Sequence, residues 1–593
     1  MKQFFKMFFA SLLALVVGSL IVLFMVIGVI ATVADEATSD KESDVDDNSV
    51  LVIESDKIIH EQGERNKLAL FSGDIAYSPG LYDMIQAIRE AKEDKNINGI
   101  MLRLGFNPNG WATINQLRTA LLDFKKSGKF IYAYGEMIPQ KSYYLASAAD
   151  SIFLNPVGFT EFNGLSSEIP FFKGTLEKLE VDPLIFYAGK FKSATEPFRA
   201  DKMSEPNRQQ VSELQSNIWN ELTAAVAAHA GTTQAAIHQL AQTGAVQFPE
   251  DALRHRLVDG LMYIDQVEDR IRKKTGGKAD EKIRYLDMEE YVSNVRRKSN
   301  SNKDRIAVLI AEGSINDGEK SDDFEIASKD FIEEIRKIRK NERIKAVVLR
   351  VNSPGGSALA SEVILRELQL LRAKKPVIVS MGDVAASGGY YISCASDSIF
   401  ALPNTITGSI GVFTMMFNAE RLMKNKLGIS FDGVKNAPYA DFPSFTRAMT
   451  PGESAKMQSI VDTIYNTFKR RVASARRMPV ALVDSFAQGR VWSGTEAKRI
   501  GLVDGLGDLD RAIASAARKA GITKYRLVTY PQPSDRFDRM FRRFGNVAAG
   551  REVVQSAVRE SLGEEYNLVR QIRNLQRMNG KAQMLLPFNL SIQ

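Results

Sequence analysis

The sequence predicts an α/β protein in which one domain, built from parallel βαβ units, occurs twice in tandem after a single membrane-spanning helix. Three observations predict this architecture. A long run without charge lies close to the N-terminus, related segments recur along the 593-residue chain at a nearly constant offset, and short β-branched apolar runs alternate with amphipathic helical stretches.

The N-terminal element is a run of 28 residues without charge, residues 7–34. A helix of that length exceeds the ~30 Å hydrocarbon core of a bilayer, so it can span a membrane with some tilt. Lys2 and Lys6 precede the run and acidic residues follow it, which places the N-terminus in the cytoplasm and the body outside. A cleaved signal peptide is the alternative, but signal h-regions are only about 7–15 residues long. We interpret residues 1–50 as an anchor and an acidic linker.

Two copies of one domain follow the anchor. Tyr143-Tyr144 and Tyr390-Tyr391 lie 247 positions apart, and both pairs precede nearly matching segments that contain Asp-Ser-Ile-Phe. Farther on, the sequence LVDGL occurs at 257–261 and again at 502–506, now 245 positions apart. An offset this constant over so long a span indicates a tandem duplication.

Strand and helix patterns alternate within each copy. In the second copy, four short apolar runs are rich in β-branched residues and almost uninterrupted, which is typical of buried parallel strands. These runs are residues 305–313, 346–351, 376–381 and 398–402. An amphipathic helical stretch at 361–375 separates the second run from the third. The alternation predicts βαβ units and therefore an α/β domain.

The polar stretch RRKSNSNKD at 296–304 predicts the junction between the copies. The first copy is then residues 51–298 and the second is residues 303–526. Residues 527–593 form a basic tail, in which four apolar residues recur at helical spacing: Phe537, Met540, Phe541 and Phe544. Such a helix would rest on an anionic membrane surface or pack on the body or a neighbouring subunit, and we favour packing.

Composition and charge argue against several partners and cofactors. The net charge of +7 is dilute over 593 residues and no nucleic-acid-binding motif is present, so we expect no nucleic-acid partner. Cys394 is the one cysteine, which makes an intrachain disulfide impossible. The four histidines occur in no metal-ligand spacing, so we expect no metal and no cofactor.

Two glycine-rich loops follow predicted strands of the second copy, at 352–356 and 382–389. Loops after strand ends collect function in open α/β folds. Ser387 in the second loop would open a helix, where unpaired N–H groups favour a developing negative charge. Gly355 and Gly356 would let backbone N–H groups approach a reacting carbonyl as an oxyanion hole. The alternative is that the first loop is a simple turn and the second a helix cap.

A nucleophilic serine needs a base. No histidine is plausibly placed, so a lysine whose pKa is lowered by burial is the next candidate. Lys190 and Lys192 occur among apolar and small residues of the first copy. Most lysines are solvated surface groups, and these patterns alone do not choose between the two.

The chain resembles the signal peptide peptidase A family, in its long two-domain form, within the ClpP/crotonase-like superfamily. The resemblance covers residues 1–526. It is most specific in four motifs: VLRVNSPGGS (348–357), VSMGDVAASGGYYIS (379–393), TGSIGVF (407–413) and GKFKSATEPF (189–198). It implies two ClpP/crotonase-like domains and a Ser/Lys dyad serine endopeptidase.

The resemblance also assigns roles to residues. It implies that Ser387 is the nucleophile, that Lys192 is the general base, and that Gly355 or Gly356 helps to form the oxyanion hole. Ser409 would orient the lysine. Asp383, in the loop before the serine, departs from the family pattern, since a carboxylate near the dyad would favour a charged lysine. We expect its side chain to point away or to pair with an arginine.

The two copies then hold complementary halves of one site. At the offset of 247, the first copy has Gln140 in place of the serine, and the second has Tyr439 in place of the lysine. We infer a composite active site, formed within one chain or between subunits.

The resemblance further implies the biological setting. The substrates would be cleaved signal peptides and other apolar peptides, bound in an extended form along a strand edge. The protein would be a homo-oligomer, with a tetramer favoured. It would lie in a bacterial inner membrane with its catalytic body in the periplasm. The alternatives are a crotonase-type acyl-CoA enzyme and a non-enzymatic membrane scaffold built from degenerate repeats.

Overall fold

The computed structural model describes residues 45–65, 77–278, 281–297, 302–320, 324–532 and 580–586, together with the single positions 13, 15, 17 and 18. Apart from those single positions, the predicted membrane-spanning run at 7–34 lies outside the described residues. So does the predicted amphipathic helix at 537–544. Within the described part of the chain, no helix combines the length and the apolar character needed to cross a membrane.

The first half of the chain alternates strands and helices. Its strands are β1 (Ser49–Glu54), β2 (Glu64–Arg65), β3 (Tyr77–Ser78), β4 (Ile97–Arg103), β5 (Phe130–Ile138), β6 (Ser151–Thr160), β7 (Asp182–Ala188), β8 (Gly260–Leu261) and β9 (Tyr285–Asp287). Its helices are α1 (Leu81–Glu93), α2 (Trp111–Lys125), α3 (Gln140–Ala146), α4 (Lys173–Lys178), α5 (Glu196–Arg199), α6 (Glu205–Ala230), α7 (Gln234–Thr243), α8 (Pro249–Arg254), α9 (Ile264–Thr275) and α10 (Met288–Arg297).

The second half repeats this alternation. Its strands are β10 (Arg305–Glu312), β11 (Ser314–Asn316), β12 (Glu325–Ala327), β13 (Ile344–Ser353), β14 (Gly355–Ser357), β15 (Val377–Ala386), β16 (Ser398–Ala401), β17 (Ile406–Gly408), β18 (Val412–Asn418), β19 (Val491–Ser493), β20 (Gly505–Leu506), β21 (Arg526–Tyr530) and β22 (Gln583–Leu585). Its helices are α11 (Ser328–Lys340), α12 (Ala358–Arg372), α13 (Gly388–Ser393), α14 (Pro451–Arg476), α15 (Val480–Phe486), α16 (Gly494–Arg499) and α17 (Leu509–Ala520).

Each half contains a parallel sheet with the same strand order. In the first half the order is β8-β6-β5-β4-β1-β9, and in the second the matching strands follow as β20-β16-β15-β13-β10-β21. All of these neighbours pair in parallel. The prediction of an α/β fold with parallel βαβ units is confirmed.

A third sheet joins the two halves, with the order β12-β11-β14-β22-β18-β7. Strand β7 of the first half pairs antiparallel with β18 of the second, from Asp182 opposite Asn418 to Ala188 opposite Val412. This pairing carries the end of β7 to the second half, so the segment that follows β7 lies against residues that follow β17.

The second-half helix and loop predictions need adjustment. The helix predicted at 361–375 begins earlier, at Ala358, because Ser357 caps it by accepting a hydrogen bond from the Ala360 N–H at 3.2 Å. The prediction that a loop begins at Gly382 is wrong, because strand β15 continues to Ala386. Its last three residues pair with the new partner β17, which keeps their backbone groups satisfied.

Candidate active site

Ser387 stands at the sharp turn between β15 and α13. Its backbone angles are φ 54° and ψ −112°, a region that a residue with a side chain rarely adopts. The turn is held by its own N–H, which donates to the Gly408 carbonyl at 2.8 Å, and by its carbonyl, which accepts from the Tyr391 N–H at 2.8 Å. Backbone conformations of this kind cost about 1–3 kcal/mol and are concentrated at functional sites.

Lys192 reaches Ser387 from the other half of the same chain. It follows β7, and its side chain is fully buried. Its Nζ donates to Ser387 Oγ at 3.0 Å, to Ser409 Oγ at 3.0 Å and to the Ser409 carbonyl at 3.3 Å. The two halves therefore place the amine and the hydroxyl within hydrogen-bond distance inside one chain.

The electrostatic setting of Lys192 favours the neutral amine. Burial lowers the pKa of Lys192 to about 7, because a desolvated ammonium loses its hydration. The nearby Glu196 is also buried, but its carboxylate accepts hydrogen bonds from Ser204 and Asn207 instead. An amine with this pKa can accept a proton near neutral pH.

Glycines of the second half leave room for the lysine side chain. A Cβ added to Gly489 would lie 2.7 Å from the Cβ of Lys192, and one added to Gly411 would lie 3.1 Å from its Cδ. The neighbouring Phe191 N–H donates to the Gln488 carbonyl at 2.8 Å. The sequence analysis did not single out Gly489 or Gly411, since two glycines distant along the chain carry no signal of a shared neighbour.

Gly355 and Gly356 lie against the start of α13. A Cβ added to Gly355 would lie 2.6 Å from the Gly388 nitrogen, and one added to Gly388 would lie 3.1 Å from the Gly356 nitrogen. Gly355 also has φ 94°, which favours glycine. The structure thus brings the amides of Gly356 and Gly388 close together beside Ser387. The Gly355 N–H instead donates to Ser353 Oγ at 3.2 Å. Gly388 was missed as a candidate, although the Ser-Gly-Gly sequence could have indicated it.

Ser409 lies next to Lys192, as the resemblance implies. It has φ 49°, its N–H donates to the Arg490 carbonyl at 2.7 Å, and its hydroxyl is fully buried. It accepts the lysine hydrogen bond through both its hydroxyl and its carbonyl. These two contacts fix the direction in which the amine points.

Asp383 turns to the first half rather than to the lysine. Its carboxylate accepts hydrogen bonds from the Thr113 N–H at 2.9 Å and the Thr113 hydroxyl at 2.5 Å. Thr113 lies in the first turn of α2, so Asp383 stabilises the N-terminus of that helix. The side chain thus points away from the lysine, which is the first of the two expected arrangements, and its partner is Thr113 rather than an arginine.

Family comparisons agree with this duplicated arrangement. The model of peptidase family S49 matches residues 123–278 and again residues 369–523. The model of Clp protease matches residues 297–407, which supports a ClpP-like domain in the second half.

Three relatives match across most of their length. Protease 4 of Salmonella typhi is 38% identical over 77% of this chain and 75% of its own. The chloroplastic serine protease SPPA of Arabidopsis thaliana is 34% identical over 75% of this chain and 67% of its own. Protease 4 of Haemophilus influenzae is 36% identical over 73% of this chain and 72% of its own. The chain therefore belongs to peptidase family S49, in its long two-domain form, and is a serine endopeptidase.

Proposed function

We propose that Ser387 and Lys192 form a Ser/Lys dyad that cleaves peptide bonds. The observation that carries this proposal is the 3.0 Å hydrogen bond between Lys192 Nζ and Ser387 Oγ, between two fully buried side chains. Burial lowers the pKa of Lys192 to about 7, so the amine has the basicity that a general base needs.

The chemical steps follow from this placement. Neutral Lys192 takes the proton of Ser387 as Oγ attacks the peptide carbonyl carbon, and the amides of Gly356 and Gly388 stabilise the resulting oxyanion. Protonated Lys192 then gives the proton to the leaving amine. A water attacks the acyl-enzyme ester, again with Lys192 as base, and restores the serine. Ser409 orients the amine throughout.

The proposed substrates are cleaved signal peptides and other apolar peptides. Support comes from the sequence motifs of the resemblance and from the third sheet, whose strands β14 and β18 run beside the dyad and can bind an extended peptide through backbone hydrogen bonds. A fluorogenic apolar peptide and its charge-substituted counterpart test this preference, and faster cleavage of the charged peptide would contradict it.

The anchor, location and assembly belong to the same proposal. The charge-free run at 7–34 and its flanking charges support a single membrane span with the catalytic body in the periplasm of a bacterial cell. A homo-oligomer, with a tetramer favoured, rests on the resemblance. Light scattering of the detergent-solubilised full chain measures the subunit number. A monomer that cleaves peptides at the full rate would contradict the proposed homo-oligomer.

Two substitutions test the dyad in the full chain. We expect Ser387→Ala and Lys192→Met each to reduce cleavage of an apolar fluorogenic peptide by about 10³-fold or more, since triad and dyad members act as a unit. A serine-reactive phosphonate should label the unsubstituted protein but not Ser387→Ala. Ser396→Ala is the matched control, because among the residues that the structure describes its hydroxyl bonds only to the nearby Ser393 carbonyl, at 2.8 Å. Full activity in either dyad variant would contradict the proposal.

A further inference from the structure

A strand from the C-terminal part of the chain fills the gap beside the proposed dyad. Strand β22 lies between β14 and β18 and runs antiparallel to both. Gly356 pairs with Met584, and Phe413 pairs with Gln583. Since neighbouring strands lie about 4.8 Å apart, removal of β22 would leave a slot one strand wide between β14 and β18. We call this gap the peptide slot.

The segment in the slot places a carbonyl among the proposed oxyanion donors. A Cβ added to Gly355 would lie 2.0 Å from the Met584 carbonyl oxygen and 2.6 Å from the Gly388 nitrogen. The Met584 carbonyl and the Gly388 amide therefore both lie against Gly355. A substrate carbonyl needs this same place to be activated, so substrate and β22 cannot occupy it together.

Backbone hydrogen bonds hold residues 580–586 as they would hold an added peptide strand. The Leu586 N–H donates to the Pro354 carbonyl at 2.7 Å, and the Ala582 carbonyl accepts from the Ala358 N–H at 3.1 Å. At the other end, Lys581 forms an ion pair with Asp317 at 3.2 Å. Main-chain bonds of this kind bind an extended peptide with little regard to its sequence.

The side chains of the segment enter apolar pockets on alternate sides. Met584 is fully buried in the core of the second half, and Leu586 is buried in the core of the first half. Leu585 packs against a small cluster that includes Ala194 and Phe413. Ala194 is two residues from Lys192, so the cluster that contacts Leu585 includes the segment that carries the proposed base. The Met-Leu-Leu sequence has the apolar character of the proposed substrates.

We propose that residues 580–586 are an intramolecular competitor, which occupies the peptide slot and must leave before a peptide substrate can bind. This inference rests on the proposed function, because it assigns a regulatory role at the same site. A peptide with apolar side chains at alternate positions displaces the segment by forming the same backbone bonds and filling the same pockets.

The first test expels the segment from the slot. In the full chain, Met584→Asp puts a carboxylate into an apolar pocket, which disfavours the bound strand. We expect the KM for an apolar fluorogenic peptide to fall at least tenfold. Met584→Leu, which keeps an apolar side chain of similar size, should stay within about twofold of the unsubstituted protein. A synthetic peptide of residues 580–586 should inhibit Met584→Asp competitively. An unchanged or raised KM in folded Met584→Asp would overturn the inference.

The second test keeps the segment in place and does not depend on the folding of Met584→Asp. Ser357 and Gln583 are antiparallel partners, at a separation that a disulfide can bridge. In the double variant Ser357→Cys/Gln583→Cys, oxidation should lower both peptide cleavage and phosphonate labelling of Ser387 at least tenfold, and reduction should restore both. Gln583→Cys alone is the control and should not respond to oxidation. Equal rates in the oxidised and reduced double variant would overturn the inference.

The two tests separate this inference from the dyad proposal. If the phosphonate labels Ser387 equally in all forms, the dyad proposal stands and only the competitor role fails. If Ser387 is labelled in no form and peptides are not cleaved, the proposed function itself fails.

Discussion

The two halves share one strand order but differ at the turn that follows the third strand of the repeat. In the second half, β15 ends in Ser387 at φ 54°, fully buried against Lys192. In the first half, β5 leads through Pro139, with an ordinary φ of −62°, to Gln140 at the start of α3. The repeat therefore folds without the strained residue, and the strain occurs in the copy that holds the proposed nucleophile.

Gln140 has a structural role of its own. Its amide group donates to the Gly164 carbonyl at 2.7 Å and accepts from the N–H groups of Asn163 and Gly164 at 3.0 Å. The side chain is buried, so these bonds satisfy its polar atoms. The glutamine ties a neighbouring loop to the helix start, where the serine of the other copy instead presents a hydroxyl to an amine.

The glycine pair shows the same divergence. At the offset of 247, Pro108 and Asn109 of the first half correspond to Gly355 and Gly356. Asn109 accepts a hydrogen bond from the Ile59 N–H at 2.8 Å and donates to the Lys57 carbonyl at 2.9 Å. The first half thus carries a bonded side chain at a position where the second half has a glycine, whose added Cβ would lie 2.0 Å from the Ile315 carbonyl oxygen.

The lysine position diverges in the opposite direction. Lys192 is fully buried after β7, whereas Tyr439 of the second half is about half exposed and lies in no regular strand or helix. The comparison teaches that the duplicated sheet needs neither member of the dyad, so each copy was free to keep a different half.

Exchange of Ser387 and Gln140, the residues at the turn, should have the largest effect on peptide cleavage. We expect Ser387→Gln to lower peptide cleavage by about 10⁴-fold, because the proposed nucleophile is lost. The reverse change, Gln140→Ser, should create no second site, because the residue that corresponds to Lys192 in the second half is Tyr439. Phosphonate labelling followed by mass spectrometry of the modified peptide locates each reactive serine. Labelling of the serine introduced at 140 would break the comparison.

A methyl group in the glycine pair should have the next largest effect. Gly355→Ala places a Cβ 2.6 Å from the Gly388 nitrogen and strains a φ of 94°, so it should displace the oxyanion donors. We expect a loss of about 10²–10³-fold in kcat, the usual effect of a lost oxyanion donor. Pro108→Ala, at the matching position of the first half, is the control and should leave kcat within about twofold.

The pH dependence should report the lysine that only the first half supplies. The neutral amine is the active form and burial lowers the pKa of Lys192 to about 7, so activity should fall as the pH drops below that value. Between pH 8 and pH 5 we expect kcat/KM to decrease by about 10²-fold, with a slope of one below pH 7. If kcat/KM is constant from pH 5 to pH 8, Lys192 is not the general base.

Loss of the hydrogen bonds between Asp383 and the first half should have the smallest effect on turnover. Asp383→Ala removes both hydrogen bonds to Thr113 at the start of α2 and should cost about 1–2 kcal/mol in the free energy of unfolding. Denaturant titration measures this loss, and kcat should change less than threefold. A large loss of activity at unchanged stability would assign Asp383 to the chemistry instead.

Much of the fold could be predicted because its signals are local. The runs at 305–313 and 398–402 were predicted as strands, and β10 and β16 lie there with ends shifted by one residue. The strand end at Ala386 could not be predicted, because Gly382 and Asp383 are typical of a loop and the strand continues only by pairing with β17. That pairing depends on a strand about 20 residues farther along the chain.

The candidate site was predicted unevenly for the same reason. Ser387 and the glycine pair are contiguous motifs, so the sequence could single them out. Lys192 needed the family resemblance, since its neighbours along the chain do not distinguish it from Lys190. Gly411 and Gly489 are evident only from their contacts, and the partner of Asp383 is Thr113, 270 positions away.

The sequence by itself determined the duplication, the βαβ alternation and the division of serine and lysine between two copies, because offsets, periodicity and motifs are properties of order along the chain. The tertiary structure decided that the two side chains meet within one chain, at 3.0 Å and out of solvent. It also decided that residues 580–586 lie beside them. Burial and strand pairing between distant segments depend on how the halves pack, and packing alone turns an ordinary lysine into one with a lowered pKa.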